Sequence, residues 1–238
     1  MKSYCSYLLI IFILYSSCIR NILKKNGILN EKVKYQKLEI PSKEVYFIGV
    51  THLGKKEFYD DLKTTVDSFK KEGYFLFTEG VKNKSETHLP MTFEDTIHLK
   101  KVRKIIGFSL ENYTQNKILE NVNKKYNLIS QGSTYYSDLD SSNFKNIDIT
   151  NKNLVDFYEK ERGEIKLDNC DSITSLIQPY NCSKLRKGER TFFKEDIILK
   201  KRNENIIKEL LNTKKTKVLI IYGKAHYDGI VNLLKTKS

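Results

Sequence analysis

Two short apolar runs separated by one amphipathic segment constrain this chain most. Val45-Tyr46-Phe47-Ile48-Gly49-Val50 is rich in branched and aromatic residues, as in a strand buried on both faces. Phe58, Leu62, Val66 and Phe69 then recur at helical spacing, and Gly73 stands where a helix ends. Tyr74-Phe75-Leu76-Phe77-Thr78-Glu79-Gly80 is a second run closed by a polar residue and a glycine. Strand, helix and strand in about 35 residues predict a right-handed crossover between parallel strands. A third run, Val218 to Gly223, is the most apolar strand candidate, after a helix expected from about Thr191 to Leu211. The expected fold is therefore α/β, with a mainly parallel central sheet flanked by helices and a helical and loop-rich middle insertion.

Within that insertion, residues from about Thr92 to Tyr126 read as mainly helical and 128–151 as polar and turn-rich. Asn153 to Glu164 reads as a further helix, and Gly163 to Lys187 as loop.

The chain has 238 residues, which favours one α/β domain, expected over 44–236. Its net charge of +13 comes from 42 basic residues, of which only six are Arg. Specific nucleic-acid reading leans on the planar guanidinium fork, so the lysines are read as a solvated surface and no specific nucleic-acid partner is expected.

Residues 1–18 read as a signal peptide or N-terminal membrane anchor: Lys2, an apolar core from Leu8 to Tyr15, then Ser16-Ser17-Cys18. Small residues before Cys18 are similar to a lipoprotein cleavage site. The expected location is the cell envelope, membrane-anchored or lipidated through the N-terminus, otherwise secreted. Residues 19–43 are basic and read as a linker. Beyond the leader only Cys170 and Cys182 remain, and a disulfide between them suits an exported protein.

Chemistry concentrates where the strands end. Gly49-Val50-Thr51-His52 and Gly223-Lys224-Ala225-His226 repeat one Gly-x-x-His pattern, each as a buried strand runs out. With 11 Gly and 4 His, chance placement gives about 0.2 such patterns. The carboxyl ends of parallel strands open onto the crevice where ligands bind, so His52, His226 and Glu79 are expected on one rim. Two imidazoles and a carboxylate form a ligand set for a divalent transition metal, and serve equally as acid and base without one. Arg202 lies on an apolar stripe with Leu199, Ile206 and Leu210; it either meets an anion, Glu79 or a substrate oxygen, or snorkels to water. His88 and His98 read as surface or capping residues, and Asp138 and Asp140 as turn or cap carboxylates.

These residues resemble the TraB/GumN group, related to the TIKI proteases and more distantly to ChaN-like and erythromycin-esterase-like proteins. The resemblance rests on both Gly-x-x-His motifs, the Phe58-Tyr59 helix start, Phe77-Thr78-Glu79-Gly80-Val81, Arg202-Asn203, and the Tyr227-Asp228-Gly229 that follows His226. It implies an α/β fold and a peptidase-like, divalent-metal-dependent hydrolase. His52, Glu79, Arg202 and His226 would be its catalytic residues, with His52, Glu79 and His226 on the metal. Peptide is the implied substrate class, and Glu79 the one carboxylate the motifs place. The rival is a non-catalytic exported lipoprotein whose histidines hold haem, a metal or a small ligand.

Overall fold

The computed structural model describes residues 19–81, 90–107, 117–132 and 142–236. The leader with Cys18, and His88, Asp138 and Asp140, lie outside the described residues. No helix among the described residues is long and apolar enough to cross a membrane.

The crossover expected from the sequence is present. Strand β1 (Tyr35–Ile40) is followed by β2 (Lys43–Val50), β3 (Leu53–Lys55), helix α1 (Lys56–Lys71) and β4 (Phe75–Thr78). The middle of the chain supplies α2 (Phe93–Ile106), α3 (Lys117–Tyr126), β5 (Leu128–Ser130), β6 (Phe144–Asn146), α4 (Asn151–Arg162) and α5 (Asn169–Ile173). It ends with α6 (Lys187–Phe192), a π-helical stretch Phe193–Lys201, α7 (Arg202–Asn212), β7 (Lys217–Gly223) and α8 (Tyr227–Lys235). The main sheet has the order β1-β2-β7-β4-β6. Strands β2, β7, β4 and β6 are parallel, β1 is antiparallel to β2, and β3 and β5 form a separate antiparallel pair.

Both sheet faces are covered, which is why β2 and β7 read as continuous apolar runs. Val45, Phe47, Val218 and Ile220 pack with Ile206, Ile207, Leu210 and Ile230 of α7 and α8. Ile48, Val50, Leu219 and Ile221 pack on the other face against Phe58, Tyr59, Leu62, Val66 and Phe69 of α1. A third cluster joins Val102 and Ile105 of α2 to Leu154, Val155 and Tyr158 of α4 and to Phe193 and Ile197.

The middle helices begin where their side chains cap them. Thr92 and Asp95 form a reciprocal box at α2, and Thr150 and Asn153 do the same at α4. Cys170 and Cys182 are disulfide-bonded, with their Cα atoms 5.8 Å apart.

Three expectations change. Tyr35–Ile40, read as part of a basic linker, is the edge strand β1: Leu38 and Ile40 are buried beside α7 and α8, while the residues between them stay exposed. Alternation this short is masked by the lysines around it. The turn-rich reading of 128–151 missed β5 and β6, each only three residues long. His98, expected as a surface or capping residue, is buried on α2, its Nε2 4.0 Å from Glu94.

The helix expected from Thr191 is interrupted in its bonding. Its inward residues are Phe193, Ile197, Arg202, Ile206 and Leu210, with one five-residue step from Ile197 to Arg202. The π-helical stretch, with its i to i+5 bonds, absorbs that step. Leu199, expected on the stripe, is only partly buried. The added residue brings Arg202 onto the buried face, where 5 % of it remains exposed.

Candidate functional site at the carboxyl edge of the sheet

Register fixes which strand ends are neighbours. Val50 of β2 pairs with Gly223 of β7, Thr78 of β4 with Ile221, and the N–H of Glu79 donates to the Ile221 carbonyl. The residues after β2, β7 and β4 therefore emerge along one edge, and Asp148 joins them two positions beyond β6.

Arg202 is the hub. Its Nη2 donates to Glu79 Oε1 at 2.7 Å and to Asp148 Oδ2 at 2.5 Å, and its Nε donates to Asp148 Oδ1 at 2.9 Å and to the Tyr222 hydroxyl at 3.1 Å. The Tyr222 ring lies 5.0 Å from the guanidinium carbon. Burial opposes the charge on Arg202, but the Asp148 and Glu79 carboxylates outweigh it and hold the guanidinium protonated. Burial likewise opposes ionisation of Asp148, and Arg202 overcomes it, leaving the carboxyl below its ordinary value. Asp148 also accepts from the N–H groups of Gly80 and Ile149. Arg202 thus meets its anion inside the protein and does not snorkel.

Glu79 is held at both oxygens. Oε1 faces Arg202, and Oε2 accepts a hydrogen bond from the N–H of Gly223. The glycine matters for space: a Cβ at Gly223 would stand 3.1 Å from Glu79 Oε2 and 3.4 Å from Cδ2 of His226. Both functional side chains pack close to a bare α-carbon, which a larger residue would not allow. Gly49 has another purpose, since a Cβ there would press on Lys224 at 3.1 Å, so the glycine of the first motif makes room for the second.

His226 is buried, edge-on to Tyr222, with Nδ1 2.7 Å from Asn203 Oδ1. An amide oxygen only accepts, so Nδ1 carries the proton and Nε2 keeps its lone pair. Burial, with Arg202 nearby, pushes the imidazole down to about 3, so the ring is neutral at physiological pH. Gly229 lets this pair form: a Cβ there would collide with the Asn203 amide.

His52 sits at the adjacent end of β2 with its side chain exposed, and its carbonyl accepts from Gln131. The structure brings Glu79, Arg202 and His226 together and leaves His52 on the neighbouring strand end. Among the described residues no three His, Cys, Asp or Glu side chains are grouped to hold a metal ion. Both Glu79 oxygens are already engaged, and a guanidinium lies against one of them.

Sequence reasoning missed Asp148, Asn203 as the partner of His226, and the Tyr222 hydroxyl. Asn203 could have been found from its place beside Arg202 at one helix start. Asp148, flanked by Ile147 and Ile149 in a polar stretch, offered only a faint alternation.

No family model, curated protein or solved structure matches this chain.

Proposed function

We propose that the carboxyl edge of the sheet is a hydrolytic site, peptidase-like in its substrate class, with Glu79 and His226 as its chemical pair. The observation that carries this reading is the convergence of the Glu79 carboxylate and the His226 ring on the bare α-carbon of Gly223. Each oxygen of Glu79 keeps a lone pair beyond the one it has committed and can take a proton from an attacking water. His226 Nε2 accepts a hydrogen bond from the same water and orients it, while Asn203 holds the ring in that tautomer. With so low a proton affinity, His226 orients rather than stores a proton. Arg202, neutralised by Asp148 and Glu79, positions Glu79.

The resemblance to TraB/GumN proteins supports the peptide class and a divalent metal. Such an ion would take His226 Nε2 and His52, with Glu79 only after release from Arg202, and would supply Lewis-acid activation of water. His52 is then a rim ligand; without the ion it contacts substrate. Export through the N-terminal leader remains part of the proposal.

The test is turnover of a mixed peptide library by purified protein, with and without added divalent metals. Glu79→Gln and His226→Ala are expected to lose at least about a hundredfold while remaining folded. Unchanged turnover in both variants would refute the assignment.

A further inference from the structure

At the opposite edge of the sheet lies a cleft of about 370 Å³ that the hydrolytic reading does not use. Its walls are Tyr35 of β1, Tyr46 of β2, Phe69 near the end of α1, and Tyr74 before β4, together with Glu44 and Glu72. The rings touch one another edge to face: Tyr35 and Phe69 at 5.2 Å, Tyr35 and Tyr46 at 5.6 Å, Phe69 and Tyr74 at 4.8 Å. Phe69 and Tyr74 are buried, whereas Tyr35 is 53 % exposed at the mouth.

Two independent features make this cleft attractive to a cation in a chain whose net charge is +13. The ring faces carry negative quadrupole potential. Glu44 and Glu72 bring carboxylates to the wall. The chain already uses the chemistry once, since Lys217 Nζ sits 5.4 Å from the Tyr74 ring centroid and donates to the Glu72 carbonyl. Lys37, cross-strand from Tyr46, is the other cation on this face of the β1-β2 pair.

The kind of cation follows from what the carboxylates are doing. The charge of Glu44 helps hold the proton on the Tyr74 hydroxyl, and Glu72 accepts from Ser68. Both contribute charge beside walls made mainly of rings, which favours an ion held by charge and ring contact that asks for no hydrogen bond. We propose that this cleft binds a trimethylammonium group, of the kind carried by choline and by choline headgroups. Its location at the amino ends of the parallel strands makes it independent of the Glu79 and His226 site.

The experiment follows the ring signals of ¹³C-tyrosine-labelled full chain by NMR during titration with choline chloride, and in parallel with tetramethylammonium chloride, against sodium chloride. Saturable shifts with a millimolar midpoint are expected for both organic ions and not for sodium. Tyr35→Ala, at an exposed position that leaves the core intact, is expected to weaken binding about five-fold. Tyr46→Leu, which keeps an apolar side chain, is expected to weaken it as well. Phosphatidylcholine vesicles form the second arm: co-flotation that depends on Tyr35 assigns the cation to a lipid headgroup, and soluble binding without flotation assigns it to a free molecule. Shifts that rise linearly to about 50 mM, that sodium reproduces, or that Tyr35→Ala leaves unchanged would overturn the proposal.

Discussion

Two buried ion networks in this protein are built from similar parts and differ in what they leave open. At the carboxyl edge, Arg202 joins Asp148 and Glu79 beside the Tyr222 ring. In the disulfide loop, Lys104 joins Asp168 and Asp171, Tyr180 donates to Asp171 at 2.6 Å, and Arg103 caps the carbonyls of Thr174 and Ser175 while stacking on Tyr180. Burial opposes the charge on Lys104, and its two carboxylates more than offset it, as at Arg202. Perturbed proton affinity therefore does not tell the two apart. The loop network turns inward, and its one unpartnered buried atom, Arg103 Nε, is a donor that cannot act as base or ligand. The edge network ends at Gly223, where a carboxylate and a neutral imidazole converge on one α-carbon.

Removing the cation from each network is the hardest test of that contrast. Arg202→Met leaves Asp148 buried with only neutral partners and is expected to cost about 3–5 kcal/mol in urea unfolding. Lys104→Met is expected to cost less, because Asp171 keeps Tyr180 and Asp168 is partly exposed. A larger loss at Lys104 would break the comparison.

Acid comes next. The folded protein keeps His226 neutral down to about pH 3, whereas the unfolded chain takes up a proton near pH 6.5. The unfolded state binds more protons in between, so this contribution is fully present above pH 6.5 and lost as pH falls toward 3. The full loss is on the order of 5 kcal/mol. Asp148, with its affinity lowered, adds its own loss only below about pH 4. Urea midpoints of wild type and His226→Gln between pH 7 and 4 check this: the variant should lose most of the slope.

Replacing both cysteines of the loop network, Cys170→Ser with Cys182→Ser, should cost about 2–3 kcal/mol and leave turnover unchanged. A fall in turnover at equal folded fraction would show that the loop serves the edge. The smallest stability effect is expected at Gly229→Ala, about 1–2 kcal/mol from displacing the Asn203 amide, with turnover falling about tenfold. Stability and turnover falling in proportion would remove the positioning role of Asn203.

The same contrast governs what could be read from the sequence. Strands β2, β4 and β7 and helix α1 are legible because burial on both sheet faces, or on one helix stripe, writes a long apolar period. The glycines and histidines of the repeated motif stand out because they terminate those runs. Strands β1 and β6 are short and half-exposed, so their few apolar residues are lost among Lys37, Glu39 and Lys145. Asp148 reaches Arg202 across 54 residues, a contact that no local pattern carries. The five-residue step before Arg202 is likewise invisible to a 3.6-residue period, although the inward direction of Arg202 follows from Ile206 and Leu210 alone.

Hydrolysis of the peptide library by Gly223→Ala, measured beside wild type at matched folded fraction, goes to the centre. A methyl group at that α-carbon stands 3.1 Å from Glu79 Oε2 and 3.4 Å from His226 Cδ2, so it crowds the acid and the imidazole directly. Wild type should turn substrate over, and the variant should fall at least about a hundredfold. Equal rates in the two proteins, or no turnover by wild type under any metal condition, would contradict the account.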